Sequence, residues 1–195
     1  MKSMHSQVAR LAAMALFGLA GAAQAGVILN LQGPAANNVD TNPATMVQVL
    51  APTTPGGVED VNVLVHITGG HMEDFDLFLS SPMGTTVQLK LQDGGHVDGP
   101  LIVNFDDEAV LPNTAYQGNP SAGLTVLPFG ALSAFDGESV GGLWTLSILD
   151  DFIPGEGNNL VAWSLQITVP EPGSVALLGL GLAVRGIARR RLAPA

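Results

Sequence analysis

The sequence contains no cysteine, a single tyrosine and almost no basic residues away from its two ends. The missing cysteines exclude a disulfide framework, a cysteine nucleophile and any thiolate-held metal. Stability therefore has to come from an apolar core, and a stretch such as 26–169 is long enough to build one. Of the 7 lysines and arginines only Lys90 lies between residues 26 and 169, whereas sixteen of the 17 acidic residues do, so that stretch carries a net charge of about −15 against −10 for the whole chain. Such a surface repels nucleic acid and anionic lipid headgroups, which excludes a nucleic-acid partner. It also supplies hard oxygen ligands, the kind calcium takes.

The two ends have a composition of their own. Lys2 and Arg10 precede an uncharged apolar run over 11–23, and Ala23-Gln24-Ala25 supplies small residues around a cleavage position. This is the layout of a secretory signal peptide over 1–25, cut before Gly26. At the other end Pro170-Glu171-Pro172 leads into an uncharged run over 173–184, then Arg185, then Arg189, Arg190 and Arg191. Twelve helical residues reach roughly 18 Å against a hydrocarbon core of about 30 Å. Even if Arg185 snorkels and the helix continues to Ala188, the span is only about 24 Å. The segment suits a transient stay in a bilayer, with the arginines held cytoplasmic and the preceding domain outside.

Between the ends, period-two patterning recurs. Alternation over 61–67, over FDLFL (75–79), over TTVQLKL (85–91, with Val87, Leu89 and Leu91 inward), over LIVNF (101–105), over WTLSI (144–148) and over WSLQITV (163–169) reads as strands. Glycine, proline, asparagine and aspartate mark the breaks, and no helical period is convincing. The expectation is an all-β fold, an antiparallel β-sandwich or jelly roll of about eight strands over 46–169. Residues 26–45 read as a leader before it, and 170–195 as a tail after it.

Four constellations could carry chemistry. Residues 137–141, GESVG, fit the G-x-S-x-G nucleophile elbow. That elbow requires a strand-to-helix turn and a histidine downstream of the serine. Here strand sequence follows, and the histidines (His5, His66, His71 and His96) all precede Ser139. Ser139 is therefore expected to be a turn residue. His66, His71 and Glu73 lack a third nitrogen or sulfur ligand nearby for a transition metal. Among the carboxylates, Asp98, Asp106, Asp107 and Glu108 flank one short strand and are the expected calcium ligands. Glycan binding, finally, favours exposed aromatic platforms. Trp144 and Trp163 lie on apolar strand faces, leaving Tyr116 in a loop as the remaining candidate.

Two resemblances attach to these residues. The tail, with Pro170-Glu171-Pro172, a short hydrophobic helix and Arg189, Arg190 and Arg191, resembles the PEP-CTERM sorting signal of Gram-negative bacteria. That resemblance implies an exosortase as the processing partner, which removes helix and arginines, and delivery to the cell surface or extracellular matrix. The segments at 58–67, 76–89, 104–109, 132–151 and 157–167, of which LSAFDGESVGGLWTLSILDD is the most specific, resemble the P domain, or P/Homo B domain, found behind the catalytic domain of proprotein convertases. The implied fold is an eight-stranded jelly roll that cuts no bonds itself, and some such jelly rolls bind calcium. The sequence expectation is thus a non-enzymatic, exported, surface-sorted module of the extracellular matrix or exopolysaccharide. An accessory domain for a separate subtilisin-like extracellular protease is the alternative, and a glycan-binding module the second.

Overall fold

The computed structural model describes residues 26–92, 99–118, 120–150, 152 and 157–171. Ala23, Ala25, Asp98, Pro172, Arg189, Arg190 and Arg191 lie outside the described residues, as does the apolar run over 173–184. Among the described residues no helix is long and apolar enough to cross a membrane.

Among the described residues nine strands form two sheets. One sheet orders β1 (Val27–Gly33), β9 (Asn159–Val169), β3 (Asp60–Thr68), β6 (Leu101–Phe105) and β7 (Leu124–Val126). The other orders β2 (Thr45–Ala51), β8 (Gly142–Asp150), β4 (Phe75–Ser80) and β5 (Thr86–Lys90). All pairings are antiparallel except β6 with β7. The architecture is the expected antiparallel β-sandwich, with nine strands.

Alternation decides which side chains meet between the sheets. Val61, Val63, Val65 and Ile67 of β3 are buried, as are Trp163, Leu165, Ile167 and Val169 of β9. Phe75, Leu77 and Leu79 of β4 and Trp144, Leu146 and Ile148 of β8 face them from the other sheet. Each such side chain removed from water contributes about 1.5–3 kcal/mol. Trp144 donates its Nε1 proton to the Val140 carbonyl at 3.0 Å, and Phe135 stands edge-on to its ring with centroids 5.1 Å apart. The indole is thereby buried without an unpaired donor.

Three expectations are corrected. First, residues 26–45, read as a leader, contribute β1, which pairs with β9 over its whole length from Val27 opposite Val169 to Gly33 opposite Trp163. Further along, Val39 is fully buried and Asp40 accepts the Asn158 amide at 2.8 Å. The partner strand lies at the far end of the domain, so no local pattern announces the pairing. Second, Leu91 is not inward: it is 39% exposed, and Lys90 is buried in its place. The register between β4 and β5 shifts between Leu77 and Phe78, so that Phe78 faces Gln88 but Leu77 faces Lys90. An extra residue on one strand reverses which parity points inward. Third, Tyr116 is no platform in a loop. It is fully buried in the 3-10 turn Asn113–Gly118, with the Lys90 ammonium 5.8 Å from its ring centre.

Candidate functional site

The first strand starts, and the last ends, at the same pole of the sandwich. Val27 lies opposite Val169, so the first residue after the expected signal cleavage sits beside the start of the Pro170-Glu171-Pro172 motif. Pro170 packs over Gly56, where a Cβ atom would come within 3.3 Å of the ring Cδ. Beside these lie the start of β3, the end of β6 and the 3-10 turn Leu132–Phe135.

The GESVG segment is built into this pole as a docking turn. Gly57 and Ser139 form an isolated bridge. The Val58 amide donates to the Glu138 carbonyl at 2.9 Å, and the Gly137 amide returns the bond to the Val58 carbonyl at 2.8 Å. Both glycines of the motif are explained by this arrangement. Gly137 has φ +79°, which L side chains adopt at a cost, and a Cβ on Gly141 would lie 2.6 Å from the Thr53 hydroxyl oxygen. Glu138 accepts a hydrogen bond from Thr85. After Gly141 the chain enters β8, a strand, and not the helix an elbow needs. His66 pairs with Ile102 toward the start of β6, the end of the sheet away from Ser139. His71 contacts the Glu73 carboxylate at 3.3 Å just before β4. Ser139→Ala is accordingly expected to change stability by less than about 0.5 kcal/mol. It is also expected to leave fluorophosphonate labelling of the purified protein at background. Labelling of the wild type that disappears in this variant would contradict the assignment.

The carboxylates proposed for calcium divide. The Glu108 amide donates to Asp106 Oδ1 at 2.7 Å. Asp107 uses both oxygens on backbone amides, Oδ1 accepting from Leu132 at 2.9 Å and Oδ2 from Ser133 at 2.8 Å. It thus anchors the 3-10 turn Leu132–Phe135 to the end of β6, a role its position in the sequence does not reveal. Among the described residues no three aspartate, glutamate or histidine side chains come together in a metal-holding group.

Charge is nonetheless concentrated here. Burial, and after it the negative field of Asp106, Asp107 and Asp136, pushes the Asp60 carboxyl above its ordinary 3.8. A hydrogen bond shared with Asp106, then burial, raises Glu108 as well. The folded protein therefore holds the Asp60 proton more tightly than the unfolded chain does. The stabilising contribution of this group is complete below 3.8 and is lost as the pH rises through the folded value. Asp60→Asn keeps an acceptor for Asn62, which donates to Asp60 Oδ2 at 3.1 Å. With solvent screening the relief near pH 7 is about 0.5 kcal/mol, or about 2 °C in Tm, and it vanishes near pH 3. Melts at the two pH values check this; equal shifts at both would refute it.

Comparison with known proteins respects the same division of the chain. The model of the proprotein convertase P-domain matches residues 58–167, and that of the PEP-CTERM protein-sorting motif matches 168–191. No curated protein matches the sequence. Among solved structures, the chain is similar to the serine protease of Aeromonas sobria in complex with its chaperone, with TM-score 0.49 and 20% identity over 82% of this chain and 30% of that one. A second structure of serine protease of Aeromonas sobria gives TM-score 0.48 and 20% identity, covering 80% and 29% of the two chains. The present chain thus spans less than a third of the length of those structures. With more than half of its residues matched by the first family model, the protein belongs to the proprotein convertase P-domain family, and it carries a PEP-CTERM protein-sorting motif directly behind that domain.

Proposed function

We propose that the protein is a non-catalytic module, exported, trimmed behind its domain by an exosortase and displayed at the cell surface within the extracellular matrix or exopolysaccharide. The observation that carries this reading is the position of the motif. The last strand ends at Val169 and Pro170 is the next residue. Removing the chain beyond the motif would therefore leave all nine strands in place. The segment over 173–184 would hold the protein in the inner membrane only until that cut. Intact-mass measurement of the surface protein tests the reading: the expected mass lacks Arg189, Arg190 and Arg191. A protein that still ends at Ala195 overturns it.

The family itself favours a second reading, an accessory domain for a separate extracellular protease of the subtilisin type. Co-purification from the surface fraction separates the two, a polysaccharide supporting the first and a protease the second. Calcium binding stays a proposal with Asp106 and Glu108, which both follow β6, as ligands; Asp98 precedes that strand, whose five extended residues span roughly 17 Å. A higher Tm of the full-length protein in calcium than in EDTA or in magnesium at equal ionic strength supports it, and equal values refute it.

A further inference from the structure

The two flanks of the sandwich treat their edge strands differently. On one flank β5 is met by the segment after β7, whose Phe129 and Gly130 amides donate to the Leu89 and Gln88 carbonyls at 2.9 and 2.8 Å. The other edge there, β7, is only three residues long. On the opposite flank β1 and β2 contact each other. Each is seven residues long, and neither contains a charged residue or a proline. Among the described residues neither has a second strand partner. Native sheets ordinarily protect a free edge with charge, proline, a bulge or shortness. β2 has none of these, and its register on β8 runs unbroken from Thr45 opposite Ile148 to Ala51 opposite Gly142.

The outward side chains of β2 are Met46, Gln48 and Leu50. Met46 and Leu50 are each 68% exposed, and the half-exposed Leu143 stands opposite Leu50 on β8. A free edge of this kind offers backbone hydrogen bonds and apolar contacts to an added strand. The sequence of β2 says which strand. TMVQVLA has nearly the same character in both directions about Gln48: Val47 and Val49 flank it, then Met46 and Leu50, then the small Thr45 and Ala51. An antiparallel neighbour runs in the reverse direction, so this strand is complementary to a copy of itself.

We propose that two copies of this chain associate through β2, antiparallel about a two-fold axis at Gln48, joining their four-stranded sheets into one. Met46 of each copy then faces Leu50 of the other, Val47 faces Val49, and the two Gln48 side chains meet at the axis. Gln48 Nε2 donates to Thr145 Oγ1 at 3.0 Å. Its second amide hydrogen and its carbonyl oxygen supply the donor and the acceptor that an identical amide requires. The interface is isologous and uses each β2 once, so assembly closes at two chains. Charge selects the same flank. Each domain carries about −15, and two such domains repel least where they meet through uncharged strands. A partner recognised by its charge would gain nothing from a strand that has none.

Sedimentation velocity of the purified full-length protein over a concentration series tests this. Wild type is expected to pass from monomer to dimer as concentration rises, and to do so more readily at about 150 mM salt than at about 10 mM, where the domain charges are less screened. Met46→Glu places a carboxylate opposite Leu50, and Leu50→Lys places an ammonium opposite Met46. Each variant alone is expected to weaken dimerisation about tenfold or more, because the axis repeats every substitution. Both side chains are exposed, so each variant should keep a Tm within about 2 °C of wild type. Mixed one to one, the two variants are expected to associate as wild type does. The new carboxylate of one then faces the new ammonium of the other, and at the second contact Leu50 faces Met46. A wild type that stays monomeric at every concentration overturns the proposal and leaves this edge to a strand of another protein. Association that neither variant weakens overturns it too, assigning self-association to another part of the chain. A mixture no stronger than its components refutes the two-fold register at Gln48.

Discussion

Lys90→Ala is expected to destabilise the domain by about 3–5 kcal/mol, roughly 10–20 °C in Tm. Lys90 is the only lysine or arginine between 26 and 169, and it is fully buried at the end of β5. Its ammonium donates to the carbonyls of Phe75 at 2.9 Å, Leu91 at 3.3 Å and Glu73 at 3.4 Å. Those carbonyls belong to the entry of β4 and the exit of β5, the place where the register shift breaks the ladder. The lysine therefore does there what strand pairing does elsewhere. Removing it strands buried acceptors and empties the space beneath Tyr116. Lys90→Met keeps the stem against the tyrosine ring and is expected to lose about half as much, since only the hydrogen bonds go. Thermal melts of the two variants check this. An alanine variant melting within about 2 °C of wild type would mean that water or a neighbour replaces the ammonium without loss.

Gly33→Val is expected to cost about 3 kcal/mol or more, by overpacking. A Cβ at this position would lie 1.9 Å from Nε1 and Cε2 of Trp163. The indole is fully buried between the sheets and has no room to retreat. The variant must therefore displace either the indole or the end of β1. Tryptophan emission distinguishes the two outcomes: a red shift reports that Trp163 has met water, and an unchanged spectrum with a lowered Tm reports that β1 has peeled from β9. A variant with wild-type Tm and wild-type emission would contradict the close packing of Gly33 on the ring. The test also probes the role of the segment before residue 46, because a dispensable leader would tolerate valine.

The same pair of residues shows where sequence reasoning succeeds. WSLQITV announces a strand because the alternation of Trp163, Leu165, Ile167 and Val169 is a property of neighbours in the chain. The sandwich, its apolar faces, the turn character of Ser139 and the sorting motif of Pro170, Glu171 and Pro172 were legible for that reason. Each depends on residue types at fixed short spacing. The net charge of the domain, from which the expectation of no nucleic-acid partner follows, depends only on counting.

What tertiary structure alone decided are the pairings and the parities. That VILNLQG is a strand is due to β9 lying beside it, a contact between opposite ends of the domain. That Lys90 is inside and Leu91 partly out is due to one register shift, invisible in TTVQLKL because alternation carries no record of an inserted residue. Asp107 is an anchor for the Leu132 and Ser133 amides because the loop after β6 meets the turn before β8, 25 and 26 residues further along the chain. The outer face of the five-stranded sheet gathers Asn30, Asn62, Asn104 and Gln166 from four strands scattered over the sequence. Short-range pattern proposes what each strand buries; which strands become neighbours, and in which register, is settled by burying all of those faces at once, and only that arrangement places these side chains together.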